Sequence, residues 1–150
     1  MLQEGDRMPD FELSDQDGKI VRSSDFAGKP LVVYFYPKDN TPGCTTEACS
    51  FRDAYAEYRD RGVAVVGISA DSAASHRKFA DKFALPFTLL ADPEKSTIKA
   101  FGAWGEKKMY GKPYEGILRS TFVIGADGTV KKVFPKVSPA GHAQEILAAL

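Results

Sequence analysis

The 150 residues are 43% apolar and 27% charged, with 20 basic side chains balanced by 20 acidic ones. That profile describes one globular domain, residues 1–150, large enough to bury a core without disulfides or a structural metal. The longest apolar run, Leu31 to Tyr36, is far short of the roughly 20 residues that span a bilayer, and zero net charge with Lys and Arg dispersed among acids excludes a nucleic-acid binder. The opening MLQEGDRMPDF has neither a cationic start followed by an apolar stretch nor an Arg-rich amphipathic pattern. The expected address is therefore the reducing cytoplasm.

In chain order, Phe11–Leu13 and Ile20–Val21 flank the turn dipeptide Asp17-Gly18 and predict a small hairpin. Ser23 or Ser24 is a candidate cap for a single turn ending at Gly28. Leu31 to Tyr36 is β-branched and aromatic without polar alternation, which predicts a strand buried on both faces that stops at Pro37. Phe51, Tyr55 and Tyr58 recur at helical spacing after Thr41, and Gly62 closes that helix. Val63–Ser69 reads as a second buried strand, Ser72–Phe83 as a helix capped by Ser72, and Phe87–Leu90 as a third strand. Asp92-Pro93-Glu94 reads as a helix start leading into Ile98 and Phe101. Gly102–Leu118 looks irregular, with Lys107 and Lys108 in a solvated loop. Ser120–Ile124 and Val130–Phe134 flank Ala126-Asp127-Gly128 as a hairpin, and a helix from about Gly141 ends the chain. After the first hairpin the order is β-α-β-α-β-α-β-β-α. It implies an α/β fold of thioredoxin-like type: a mixed central sheet, helices on both faces and an N-terminal hairpin.

In such sheets functional groups gather at the carboxyl ends of the central strands, and the first buried strand delivers Pro37 through Cys44 to that edge. With Thr41 as N-cap and Pro42 as first helical residue, Cys44 falls at the third helical position. Free N–H groups and the positive end of the helix dipole favour a thiolate there, in a pocket expected to be exposed and electropositive. The Thr41 hydroxyl is placed to accept a first-turn N–H while donating toward an oxygen above the sulfur. Cys49, five residues on, lies roughly 8–9 Å from Cys44 on an ideal helix and is turned away from it. A disulfide needs less than about 7 Å, so pairing the two requires the first turns to unwind. Gly43, Thr45 and Thr46, weak helix formers, make that melting cheaper. Neither His76 nor His142 lies near the cysteines in sequence, so no zinc ligand set is visible, and both histidines read as surface residues.

The run Tyr34-Phe35-Tyr36-Pro37-Lys38-Asp39-Asn40-Thr41-Pro42-Gly43-Cys44-Thr45-Thr46-Glu47-Ala48-Cys49 resembles the active-site stretch of the peroxiredoxins, whose pattern is Pro-x-x-x-Thr-x-x-Cys. The second cysteine five residues on, together with Phe101, Trp104, Gly105 and the run Gly116-Ile117-Leu118-Arg119-Ser120-Thr121-Phe122, is similar to the atypical two-cysteine subfamily called bacterioferritin comigratory protein or peroxiredoxin Q. The resemblance implies that Cys44 is the peroxidatic nucleophile and Cys49 the resolving thiol. It further implies that Thr41 and Arg119, with the N–H groups of Gly43 and Cys44, bind the peroxide and stabilise the developing anion, while Pro37 shields the pocket.

The implied substrates are hydrogen peroxide and alkyl hydroperoxides, and the implied reductant is thioredoxin or glutaredoxin. No metal or organic cofactor is required, and a monomer or weak dimer is expected. Two other functions remain open for the residues alone: a thioredoxin-like thiol-disulfide oxidoreductase, and a non-enzymatic holdase on the same fold. Neither accounts for Thr41, Cys44 and Arg119 occurring together.

Overall fold

The computed structural model describes every residue from Met1 to Leu150. Its strands are β1 (Glu12–Asp15), β2 (Ile20–Arg22), β3 (Leu31–Phe35), β4 (Ala64–Ser69), β5 (Thr88–Ala91), β6 (Trp104–Met109), β7 (Lys112–Ile117), β8 (Ser120–Ile124) and β9 (Val130–Phe134). The helices are α1 (Pro42–Asp60), α2 (Ala73–Phe83), α3 (Ser96–Ala100) and α4 (His142–Ala149), with a single 3-10 turn at Ser23–Phe26. Seven strands form one sheet in the order β2-β1-β5-β4-β3-β8-β9; β3-β4 and β4-β5 are parallel, and the outer pairings are antiparallel. No helix is long and apolar enough to cross a membrane.

β3 lies inside the sheet, between β4 and β8, and every one of its side chains is apolar or aromatic and buried. Alternation then assigns them to two cores. Val32 and Tyr34, with Tyr36 just beyond the strand, face α1, α2 and α4; Leu31, Val33 and Phe35 face Ile98, Phe101 and Phe122 on the opposite side. On α1 the buried positions are Cys44, Glu47, Ala48, Phe51, Ala54 and Tyr58. That three-to-four spacing lays one stripe of the helix on the sheet. Phe51 stacks on Tyr34 with ring centroids 4.6 Å apart, and truncating such a side chain to alanine costs about 3–5 kcal/mol.

Two expectations fail locally. The segment 102–118 is not irregular: β6 and β7 pair antiparallel from Trp104↔Ile117 to Met109↔Lys112. Tyr110 and Gly111 supply the turn with φ of 52° and 78°, the left-handed pair that a two-residue hairpin demands. Lys107 is accordingly on a strand rather than in a solvated loop, and its Nζ donates to the Ile117 carbonyl at 2.8 Å. The third helix also begins later than Asp92-Pro93-Glu94 predicts. Lys95, at φ 65°, occupies the N-cap position, and Asp92 reaches across the intervening turn to accept the Ile98 N–H at 2.8 Å.

Candidate active site

β3 ends at Phe35, and Tyr36 to Thr41 cross the sheet edge into α1. β8 runs antiparallel to β3 with Ser120 opposite Phe35. Arg119, one residue before β8, is thereby delivered to the same edge as Cys44, 75 positions away in sequence. The β6-β7 hairpin braces this approach: Lys107 holds the Ile117 carbonyl, and the Leu118 N–H donates to Ala103 at 2.7 Å.

Thr41 is the N-cap of α1 in extended conformation, with Pro42 at the first helical position, so Cys44 stands third as the spacing predicts. The first-turn N–H groups of Gly43 and Cys44 lie outside the helix's own hydrogen-bond ladder and point with the positive end of its dipole. The Thr41 hydroxyl does not cap them. It donates backward to the Lys38 carbonyl at 2.8 Å, and no side-chain cap bond forms. This corrects the double role expected of it: the nearer acceptor in its own loop takes the proton, while its lone pairs stay available.

Cys44 is 1% exposed, so the expected exposed pocket is in fact a closed one. Arg119 covers the sulfur, donating from Nη2 to Sγ at 3.3 Å and from Nη1 to Glu47 Oε1 at 2.7 Å. Gly43 makes room for the guanidinium, since a Cβ on Gly43 would sit 3.2 Å from Nη2. Glu47, three residues after Cys44 and so on the same helix face, is wholly buried, and its Oε2 has no hydrogen-bond partner. Burial pushes the Glu47 carboxyl up to about 7 although Arg119 opposes the shift. Burial works against the charge of Arg119 too, but Glu47 and Cys44 more than offset it and hold the guanidinium protonated.

Pro37 lies half-buried at the end of β3, and Cys49 lies half-buried on α1. Both cysteines are free thiols within one uninterrupted helix. The structure thus brings together Cys44, Gly43 and Arg119, sets Thr41 one turn away, and leaves Cys49 apart.

Sequence reasoning missed Glu47, although its i,i+3 spacing from Cys44 was available as a signal. It also misplaced both histidines, which are buried rather than on the surface. His76 is fully enclosed, with Nδ1 2.7 Å from Asp39 Oδ2 and Nε2 2.9 Å from the Leu90 carbonyl. His142 lies between Thr121 Oγ1 at 2.7 Å and Glu145 Oε1 at 2.9 Å; burial lowers its pKa while Glu145 opposes the shift. Polar neighbours in sequence hid these rings: the partners of His76 come from other elements, and His142 pairs with Thr121 on β8 as well as with Glu145 on its own helix.

The AhpC/TSA family profile matches residues 4–133. Over 146 residues, 97% of this chain, it is 47% identical to peroxiredoxin Bcp of Bacillus subtilis and 46% identical to peroxiredoxin Bcp of Escherichia coli K12, covering 93% and 94% of those proteins. Among solved structures, bacterioferritin comigratory protein of Xanthomonas campestris, studied for alkyl peroxide reduction, superposes with a TM-score of 0.88 at 42% identity, covering 93% of this chain and 88% of that one. A cysteine-to-serine variant of Xylella fastidiosa PrxQ superposes with a TM-score of 0.94 at 35% identity, covering 99% and 95%. The chain therefore belongs to the AhpC/TSA family and, within it, to the peroxiredoxins of the Bcp type, enzymes that reduce peroxides with a cysteine.

Proposed function

We propose that Cys44 is the reacting sulfur and Cys49 its resolving partner. The Cys44 thiolate attacks one peroxide oxygen, the O–O bond breaks, and the departing oxygen leaves as water or an alcohol after taking up a proton; Cys44 becomes a sulfenic acid. The Cys49 thiol then displaces hydroxide from that sulfur, giving the Cys44–Cys49 disulfide and water. A thiol reductant returns both cysteines to the reduced state by exchange. Thioredoxin, or glutaredoxin, fits as that reductant, and the enzyme works as a monomer or weak dimer built from a single domain. A reducing cytoplasm fits a cycle that a thiol reductant must restore.

The observation that carries this reading is the guanidinium of Arg119 fixed between Cys44 Sγ and Glu47. Full ionisation of an ordinary cysteine gains only about 30-fold in thiolate at pH 7, so rapid chemistry needs donors aimed at the charge developing on the departing oxygen. Arg119 and the N–H groups of Gly43 and Cys44 are the donors within reach, while the Thr41 hydroxyl, its hydrogen given to the Lys38 carbonyl, offers its lone pairs to the peroxide O–H. Pro37 walls the opening. For the second step Cys44 must leave the core and the start of α1 must unwind, because both cysteines belong to the same helix. Weak helix formers ease this, and the Thr46 hydroxyl bonds back to the Pro42 carbonyl at 3.0 Å, a contact that loosens helices.

The test adds one equivalent of hydrogen peroxide to the reduced protein, to Cys49→Ser and to Cys44→Ser, following peroxide loss and intact mass. The expected outcome is loss of two hydrogens in the wild type, gain of one oxygen in Cys49→Ser and no reaction in Cys44→Ser. Equal, slow loss in all three contradicts the proposal.

A further inference from the structure

The loop between β3 and α1 is anchored by a buried network that the peroxide chemistry does not use. Asp39, midway between Pro37 and Thr41, is buried. Its Oδ1 accepts the Tyr36 hydroxyl at 2.5 Å, its Oδ2 accepts the Ser75 hydroxyl at 2.8 Å and meets His76 Nδ1 at 2.7 Å, and its N–H donates to Asp71 Oδ2 at 2.8 Å. The Leu90 carbonyl can only accept, so Nε2 of His76 is the donor in that contact. These partners come from the end of β3, the end of β4, α2 and β5. None lies on α1.

We propose that Asp39 and His76 form a positioning latch that fixes the loop bearing Pro37 and Thr41 against α2 and β5 while the first turns of α1 unwind. The inference rests on Cys44 being the reacting sulfur. Unwinding residues 42–49 breaks none of the latch's bonds, and Asn40, at φ 58°, stands between latch and helix as the residue that turns. Asp39, Asp71 and His76 also converge with a ligand atom apiece within 4.8 Å. Both oxygens of Asp39 and both nitrogens of His76 are already engaged by protein partners, which favours a latch over a cation site. The consequence is a division of labour: the rim that receives the peroxide stays fixed while the segment carrying the sulfur moves.

The test measures two rates by rapid mixing: sulfenic acid formation in a Cys49→Ser background, and disulfide formation with Cys49 intact. Asp39→Ala and His76→Leu are each expected to slow the peroxide step about 10-fold while leaving disulfide formation unchanged or faster, and the double variant is expected to be no slower than the worse single one. Asp39→Asn, whose amide can donate to Nδ1 and whose oxygen can still accept from Tyr36, should remain within about 3-fold of the wild type. Ser75→Ala, which deletes one donor to Asp39, should cost about 3-fold in the peroxide step and serves if a stronger variant does not fold. Wild-type peroxide rates in Asp39→Ala, His76→Leu or Ser75→Ala, or losses that multiply in the double variant, overturn the latch. Failure of the Cys44 assignment is read separately, as peroxide consumption that survives Cys44→Ser.

Discussion

Two buried polar clusters adjoin the head of α1, and they differ in how completely they are satisfied. Around Asp39 and His76 every carboxylate oxygen and ring nitrogen has a partner. Around Cys44 the Glu47 carboxylate has one oxygen on Arg119 and the other on nothing. A buried acceptor without a donor costs about 1–3 kcal/mol, a cost that the proposed unwinding would recover by letting water reach it. In the proposed cycle the first cluster stabilises a part that stays in place, and the second holds a geometry for one chemical step and lowers the cost of leaving it for the next.

Neutralising Glu47 breaks this contrast most strongly. Burial raises its pKa from the ordinary 4.5 to about 7, so the folded state prefers the protonated acid. The stability gained from that preference is fully present below about pH 4.5 and is lost as pH rises through about 7. Glu47→Gln carries no such dependence. Its unfolding free energy relative to the wild type should therefore improve by about 2 kcal/mol between pH 5 and pH 8, as read from denaturant titrations; a pH-independent difference would show that the carboxyl is not held off its ordinary range.

Thr45→Ala with Thr46→Ala sharpens the contrast from the other side. Stronger helix formers at both positions stabilise the wound turn by about 1.4 kcal/mol in total, so disulfide formation should slow about 10-fold while sulfenic acid formation is unchanged. Rapid-quench mass analysis separates the two steps, and an unchanged disulfide rate would mean that unwinding does not limit it. Gly43→Ala is expected to do least. It adds helix propensity and places a Cβ 3.2 Å from Arg119 Nη2, so both steps should slow by about 3-fold; a peroxide step that is unaffected would show that the guanidinium has room to spare.

The sheet was largely legible in the sequence because β3, β4, β5 and β8 are continuous apolar runs and α1 and α2 carry clear periodicity and caps. The Ser72 cap forms as its residue type predicts, accepting the Ser75 N–H at 3.1 Å. β6 and β7 were not legible. Trp-Gly-Glu-Lys-Lys-Met lacks apolar alternation, and Tyr110-Gly111 replaces the Asn-Gly that usually signals a tight turn. At the site, Cys44 and Thr41 could be placed from local capping rules, whereas Arg119 required a family resemblance because only β3-β8 pairing carries it there. Glu47, Asp39 and His76 stayed hidden for a related reason. A polar residue's burial depends on partners that lie far along the chain, and periodicity does not report them.

In the proposed reaction Arg119 acts on the developing charge as well as on the sulfur's ionisation. The most direct test is the second-order rate of sulfenic acid formation in Cys49→Ser with and without Arg119→Ala, followed by stopped flow from pH 6 to above the thiol's titration in each variant. The Arg119→Ala rate is expected to stay about 100-fold lower on the high-pH plateau, where both sulfurs are fully ionised. Convergence of the two plateaus would reduce Arg119 to a supplier of thiolate, with no part in stabilising the departing oxygen.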